Sequence, residues 1–270
     1  MLRGSSAESF ARLSAQQAKA IEGGADANRL ADQDFAAVEL FRSQAHFRRA
    51  ATDPTANFDS RSAMLREVFS RHFDEAGTEL LAAAGGLRWT SSRDLVETFE
   101  KLGVIATARA ADTAGEGDRL EGEMFYFGRV IAENPPLREA LTDRARSVAD
   151  KQQLLRDLLH GRACAGTVKL AEQAAHGYHQ TVRQAFDDYA RIATESRGRK
   201  VAVVRVARPL SEPDQKRLGE VLARTYDSPV HLNIVVDPEI LGGIEVQVGD
   251  EVIDGTVASR LGDAGRQLAG

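Results

Sequence analysis

A chain of 270 residues is too long for one small core and suits two or three. With 43% hydrophobic and 28% charged residues it reads as a globular chain, and a net charge of -5 offers no general attraction to phosphate backbones or anionic lipid. The single cysteine, Cys164, excludes an internal disulfide or a cysteine metal cage, and no apolar run is long enough to span a bilayer or to act as an export leader.

Up to about residue 198 the apolar period is helical, and the helices come twice. Shifted by 89, Glu8–Leu13 meets Glu97–Leu102. Shifted by 90, Leu30 and Phe35 fall on Leu120 and Phe125, Arg48–Asp53 falls on Arg138–Asp143, and Leu65-Arg66-Glu67 falls on Leu155-Arg156-Asp157. Asn57 and Ser147 coincide in that register, each a good N-cap before an apolar helix. The segment 94–108 is placed to close the first copy and open the second. In the second copy Leu120, Met124, Phe127 and Ile131 form one helical stripe, and Leu154, Leu155, Leu158 and Leu159 form another. Trp89, Phe99 and Tyr126 are expected in helical cores.

After Arg199 the period changes. Val201, Val203 and Val206, then Val230, Leu232, Ile234 and Val236, then Ile244, Val246 and Val248 alternate as half-buried strands do. Between the first two, Ser211 caps a helix carrying Asp214, Leu218, Val221 and Leu222. Asp237-Pro238 ends a strand, Leu241-Gly242-Gly243 is a tight turn or close approach, and Gly249-Asp250 reads as a hairpin. The expected class is α+β, a duplicated all-α bundle followed by a small α/β domain of strand, helix and three strands. The expected division is an extra helical unit at 1–92, a helical bundle at 93–197 and the α/β domain at 198–270.

Chemistry is scarce. No G-x-x-x-x-G-K-[ST] loop is present, and Gly115-Glu116-Gly117 reads as an interhelical turn. Of six histidines only His176 and His179 are close, and an exposed pair is expected rather than a metal site. Asp237, Glu239, Asp250, Glu251 and Asp254 read as turn-forming residues rather than a catalytic set. No cofactor, metal or catalytic residue is expected.

The stretch Val235–Val257 resembles the signature of the ATP synthase delta subunit, whose mitochondrial relative is the oligomycin-sensitivity-conferring protein. Asp237, Leu241, Gly242, Gly243, Gly249, Asp250, Asp254 and Gly255 follow its order of an aspartate, an apolar residue with Gly-Gly, a strand, Gly-Asp and Asp-Gly, with Thr256 where the family has serine. The likeness runs from about Arg93 to Leu261, taking in the strand, Pro-Leu-Ser and helix of Arg205–Leu222 and the helical Asn-Pro segment Asn134–Leu159. It departs at Asp94–Phe99, where the family has a Tyr-Ala-x-x-Leu-Phe-like helix. The earlier residues are an extra copy of the helical unit.

The resemblance implies a non-catalytic connector on the cytoplasmic face of a bacterial membrane. Its bundle would hold the N-terminal segment of an alpha subunit between its first helix (Leu95, Phe99, Leu102) and its fifth (Leu170, Ala174), and its C-terminal domain would hold the C-terminal region of the b subunit. The two rival readings are a helical-repeat adaptor with unrelated partners and a metal-dependent hydrolase built on the C-terminal carboxylates.

Overall fold

In the computed structural model, which describes residues 2–176, 179, 181–249, 251–257 and 259, the helix boundaries repeat at the interval at which the sequence repeats. α2 (Ala27–Ser43), α3 (Ala45–Thr52) and α4 (Phe58–Phe69) return as α7 (Gly117–Glu133), α8 (Pro135–Thr142) and α9 (Val148–Leu159), each end displaced by 90 residues. α5 (Glu75–Gly85) and α10 (Ala165–Ala174) start at the same offset, as do α6 (Ser92–Thr113) and α11 (Val182–Ser196). Moved by 89, α1 (Ser5–Glu22) falls at 94–111, inside α6. One long helix is therefore both the sixth helix of the first copy and the first helix of the second.

The copies share local chemistry as well as boundaries. Leu65 and Leu155 are both fully buried. Thr52 and Thr142 each donate a hydroxyl back to the carbonyl four residues earlier, at 3.0 and 2.8 Å. Arg48 and Arg138 turn back to the end of the preceding helix, donating to Phe41 O and Ala132 O at 2.6 and 2.7 Å. Asn57 and Ser147 cap α4 and α9, accepting from the Asp59 and Asp150 amides, and such a cap is worth about 1 kcal/mol. At the start of α5 and α10 the polarity is exchanged. In the first copy Gln33 Oε1 accepts from the Asp74 amide at 2.9 Å while its Nε2 donates to the Asp74 carboxylate at 3.0 Å. In the second copy Glu123 takes the place of Gln33 and accepts from the Cys164 amide at 2.8 Å and the Thr167 hydroxyl at 2.7 Å. The acid has moved from the capping residue to the residue it meets.

The core of the first copy is aromatic. Phe41 packs against Phe47, Phe69 and Phe99, with ring centroids 5.7 to 6.0 Å apart, and Leu13, Leu65, Leu81 and Leu95 close around them. α6 lies against α2, and Gly103 is what allows this, since a Cβ there would come within 2.8 Å of the Phe35 ring. In the second copy the stripe holds: Leu120, Met124 and Ile131 are buried and Phe127 packs on Phe186 at 5.4 Å. Tyr126, expected in a core, is 48% exposed, because its position on α7 faces away from that stripe.

The chain divides into two compact units, Met1–Tyr189 and Ala190–Gly270, with the division inside α11. That helix stops at Gly198, which takes φ 68° as left-handed helix ends favour. In the second unit β1 (Lys200–Val206) pairs in parallel with β2 (Val230–Val236) across α12 (Glu212–Tyr226), and antiparallel with β3 (Ile244–Val248), which pairs with β4 (Glu251–Asp254). The order is β2-β1-β3-β4, the strand, helix and three strands expected. Ser211 caps α12, its Oγ 3.4 Å from the Asp214 amide and 2.6 Å from the Asp214 carboxylate. Leu218 and Leu222 face the sheet core while Val221 is exposed. The buried phase of β1 is Ala202, Val204 and Val206. Val201 and Val203, expected on the core side, lie on the opposite face. Alanine at 202 hides the true alternation, since it adds little to an apolar pattern.

Candidate functional site

The signature of the C-terminal unit folds into a backbone crossing. Asp237 ends β2: its amide donates to Val206 O at 2.8 Å and its carboxylate accepts from the Glu239 amide at 2.9 Å. The chain then turns through Leu241, 82% exposed, into Gly242 and Gly243. Gly242 O accepts from the Val257 amide, and Ile244 O accepts from the Gly255 amide, both at 2.9 Å. Two stretches distant in sequence are thus sewn together at the glycines. Gly243 has φ 85°, and a Cβ on it would press into Gly255 O and lie 2.9 Å from Thr256 Cα. Only glycine satisfies both demands.

Asp254 follows the same structural logic. Its carboxylate accepts from the Thr256 amide at 2.9 Å, and Thr256 Oγ1 accepts from the Ser259 amide at 3.2 Å. Hydrogen bonding from Thr256 holds the Asp254 carboxyl below its usual range. Val248 and Glu251 face each other across β3 and β4. Gly249 has φ 59°, and Asp250 lies outside the described residues. Glu251 accepts from the Tyr226 hydroxyl at 3.0 Å. Among the described residues no three His, Cys, Asp or Glu side chains are grouped to hold a metal. The described carboxylates serve turns and a strand edge.

The residues that the resemblance offers to a partner helix are otherwise disposed. Leu95, Phe99, Leu102 and Leu170 are completely buried and Ala174 nearly so. The cause is the double duty of α6. Phe99 packs against Phe41 of the first copy with its ring tilted, centroids 6.0 Å apart, so the first copy covers this face of α6. Those five side chains shape the bundle from within. Open surface lies instead at the α1 and α5 ends of the first copy, where Ser5, Glu8, Phe58 and Leu87 line a cavity of about 230 Å³. Phe58 there lies between Arg61 and Arg88, whose guanidinium carbons are 4.8 and 5.8 Å from the ring centroid.

Reading the sequence missed one polar constellation. His179 is half-buried, its Nε2 3.1 Å from Glu100 on α6 and its Nδ1 3.2 Å from Asp188 on α11. The Tyr189 hydroxyl donates to the same Glu100 oxygen. Burial disfavours a charged imidazole, but the hydrogen bonds and charges of Asp188 and Glu100 outweigh it and raise the His179 pKa to about 9. The expected exposed pair is corrected, for His176 is also half-buried: burial lowers its pKa, and its Nε2 lies 3.1 Å from the Gln152 amide. A usable signal lay in the repeat. Trp89 and Phe99 of the first copy stand where His179 and Tyr189 stand in the second, a titratable imidazole and a phenol in place of an indole and a phenyl ring.

The family model of the ATP synthase delta (OSCP) subunit matches residues 105–268, from within α6 through the second copy and the α/β unit. The chain belongs to the ATP synthase delta (OSCP) subunit family. It is 44% identical over 277 residues to the ATP synthase subunit delta of a Nocardioides species, covering 100% of this chain and 98% of the relative. With that of Frankia alni it shares 39% over 264 residues (96% and 95% covered), and with that of Streptomyces coelicolor 41% over 247 (90% and 89%). Most of the sequence before residue 105, outside the family model, is therefore matched by these delta subunits as well. The delta subunit is a structural, non-catalytic subunit, which accords with the turn-forming use of the carboxylates. Among the described residues no helix is long and apolar enough to cross a membrane.

Proposed function

We propose that this chain is the connector of the ATP synthase peripheral stalk, tying the catalytic head to the b subunit so that the head resists rotor torque. The observation that carries this is the end-to-end likeness to delta subunits at 44% identity. In this reading the parts act as 1–92, 93–197 and 198–270. The helical parts grip N-terminal segments of alpha subunits, the α/β part grips the C-terminal region of b, and the assembly stands on the cytoplasmic face of a bacterial membrane. Leu95, Phe99, Leu102, Leu170 and Ala174 serve the grip by supporting the α6–α10 seam from within. The duplicated helices give the head a second handhold at the open ends of α1 and α5, and two linked sites gain from effective concentration. Gly242, Gly243 and Gly255 hold the shape of the b-binding unit.

The test measures binding of an alpha N-terminal peptide and of the b C-terminal region separately by calorimetry, for the parent chain and for Gly243→Val. Loss of b binding with alpha binding kept is the expected outcome. Failure of the parent chain to bind either one, or equal loss of both on substitution, overturns the reading.

A further inference from the structure

A cavity of about 290 Å³ opens at the end of the second helical copy, and the first copy indicates what belongs in it. Its floor is aliphatic and buried: Ile131 from α7, Leu141 from α8 and Val182 from α11. Its rim carries the guanidinium groups of Arg138 and Arg183, and among the described residues no carboxylate lines it. Arg138 holds Ala132 O at 2.7 Å, which fixes its place, and Arg183 lies 3.5 Å from Asp187. The site thus combines an apolar floor with two guanidinium groups at its mouth, that of Arg183 paired with Asp187 and that of Arg138 with no carboxylate among the lining residues.

The repeat register shows a smaller side chain at one floor position. On the floor Ile131 stands where the first copy has Phe41, while Leu141 and Val182 stand where it has Ala51 and Ser92; beyond the cavity lining, Leu137, Leu159 and Ala163 stand where it has Phe47, Phe69 and Phe73. In the first copy those four rings pack as one cluster, with centroids 4.9 to 6.2 Å apart. The second copy keeps the helices and lacks the rings. At Ile131 the floor lacks the ring that Phe41 supplies in the first copy, an aliphatic floor of this size takes an aromatic ring, and such recesses are where interface anchors concentrate their effect.

We propose that this recess docks an acidic segment of a partner protein, with one bulky aromatic side chain seated on Ile131, Leu141 and Val182 and carboxylates meeting Arg138 and Arg183. The positive rim selects an acidic segment over a basic one, and charge at the rim of an apolar pocket acts chiefly on partner choice and capture rate. The chain's own tail does not match this chemistry: residues 258–270 hold no aromatic residue, and two arginines against one aspartate.

The test uses the full chain and three fluorescent synthetic peptides of equal length: one phenylalanine flanked by glutamates, the same with alanine for phenylalanine, and the same with lysines for glutamates. Anisotropy is expected to show saturable binding of the first peptide only. That binding should weaken about tenfold or more in Ile131→Phe, which restores the ring of the first copy and fills the recess. It should also weaken in Arg183→Glu, an exposed change that keeps the test informative if Ile131→Phe fails to fold. The proposal is overturned if the lysine peptide binds as well as the glutamate peptide, or if no peptide binds at millimolar concentration. It is equally overturned if Arg183→Glu leaves the affinity unchanged, or if binding arises only after residues 258–270 are removed, which would make the tail the occupant.

Discussion

Replacing Gly243 by alanine should loosen the C-terminal sheet far more than the same change at Gly249, although both glycines have positive φ. At φ 85° an L-residue is strained, by roughly 1–2 kcal/mol. At Gly243 the added Cβ also meets backbone, Gly255 O and, at 2.9 Å, Thr256 Cα. Neither atom can swing aside as a side-chain tip could, because the Gly255 amide is tied to Ile244 O. Forcing the two segments apart costs a further 1–3 kcal/mol or so, typical of overpacking. The sum, roughly 2–5 kcal/mol, is a large share of what a small domain holds. At Gly249, with φ 59° and nothing within 4 Å of a Cβ, only the conformational cost of about 1 kcal/mol applies. Hydrogen exchange by mass spectrometry on the full chain reads both changes unit by unit. In Gly243→Ala the amides of β1 and β3 should exchange about 30-fold to several-thousand-fold faster, with those of α2 and α4 unchanged. In Gly249→Ala the effect should stay near fivefold. Equal effects at the two glycines would refute the argument from the backbone crossing.

Three further outcomes follow from the helical unit. Asp34 is buried and accepts from Gln17 at 2.6 Å, and burial raises its carboxyl well above the usual range. The stability carried by its neutral form is complete below the unfolded value near 3.9 and is lost as pH rises through the folded one. Calorimetry at neutral pH should therefore find Asp34→Asn more stable than the parent, with the gap closing toward pH 4, and a variant less stable throughout would refute this. His179, with its pKa raised to about 9, contributes stability that is complete below about pH 6.5 and lost as pH rises through about 9, at most about 3 kcal/mol. His179→Gln should flatten that loss, and an NMR titration of the imidazole near 6.5 would contradict it. Glu123→Gln should cost only about 1 kcal/mol or less in denaturant unfolding, because Gln33 does the same task in the first copy, whereas Glu123→Ala leaves the Cys164 amide without its acceptor and costs about 1–3 kcal/mol.

How much of this was legible follows from which features are local. The change from helical to strand period near residue 198 showed in the sequence because one-sided burial writes its period directly into the chain. The 90-residue register showed because each copy needs the same caps and core positions, so Asn57 and Ser147 or Leu65 and Leu155 recur without a gap. The glycine signature was visible too, since positive φ at Gly243 and Gly249 restricts the residue type itself. The phase of β1 was not, because Ala202 is buried yet carries too little apolar weight to mark its face.

That 94–108 belongs to both copies showed in the register, but tertiary structure alone decided how completely α6 is covered. Periodicity identifies a helix with one buried face, but α6 serves two bundles and buries Leu95, Glu100, Leu102, Thr107 and Ala108 around its circumference. Small and polar residues on a helix read as solvent-facing until a second layer of helices is known to cover them. Leu95, Phe99 and Leu102, which the resemblance assigned to a partner groove, are completely buried, and Glu100 is the partner of His179, 79 residues away. Such pairings depend on distances between helices. A linear pattern records which residues prefer to leave water, while the packing of one copy against the other determines where they go.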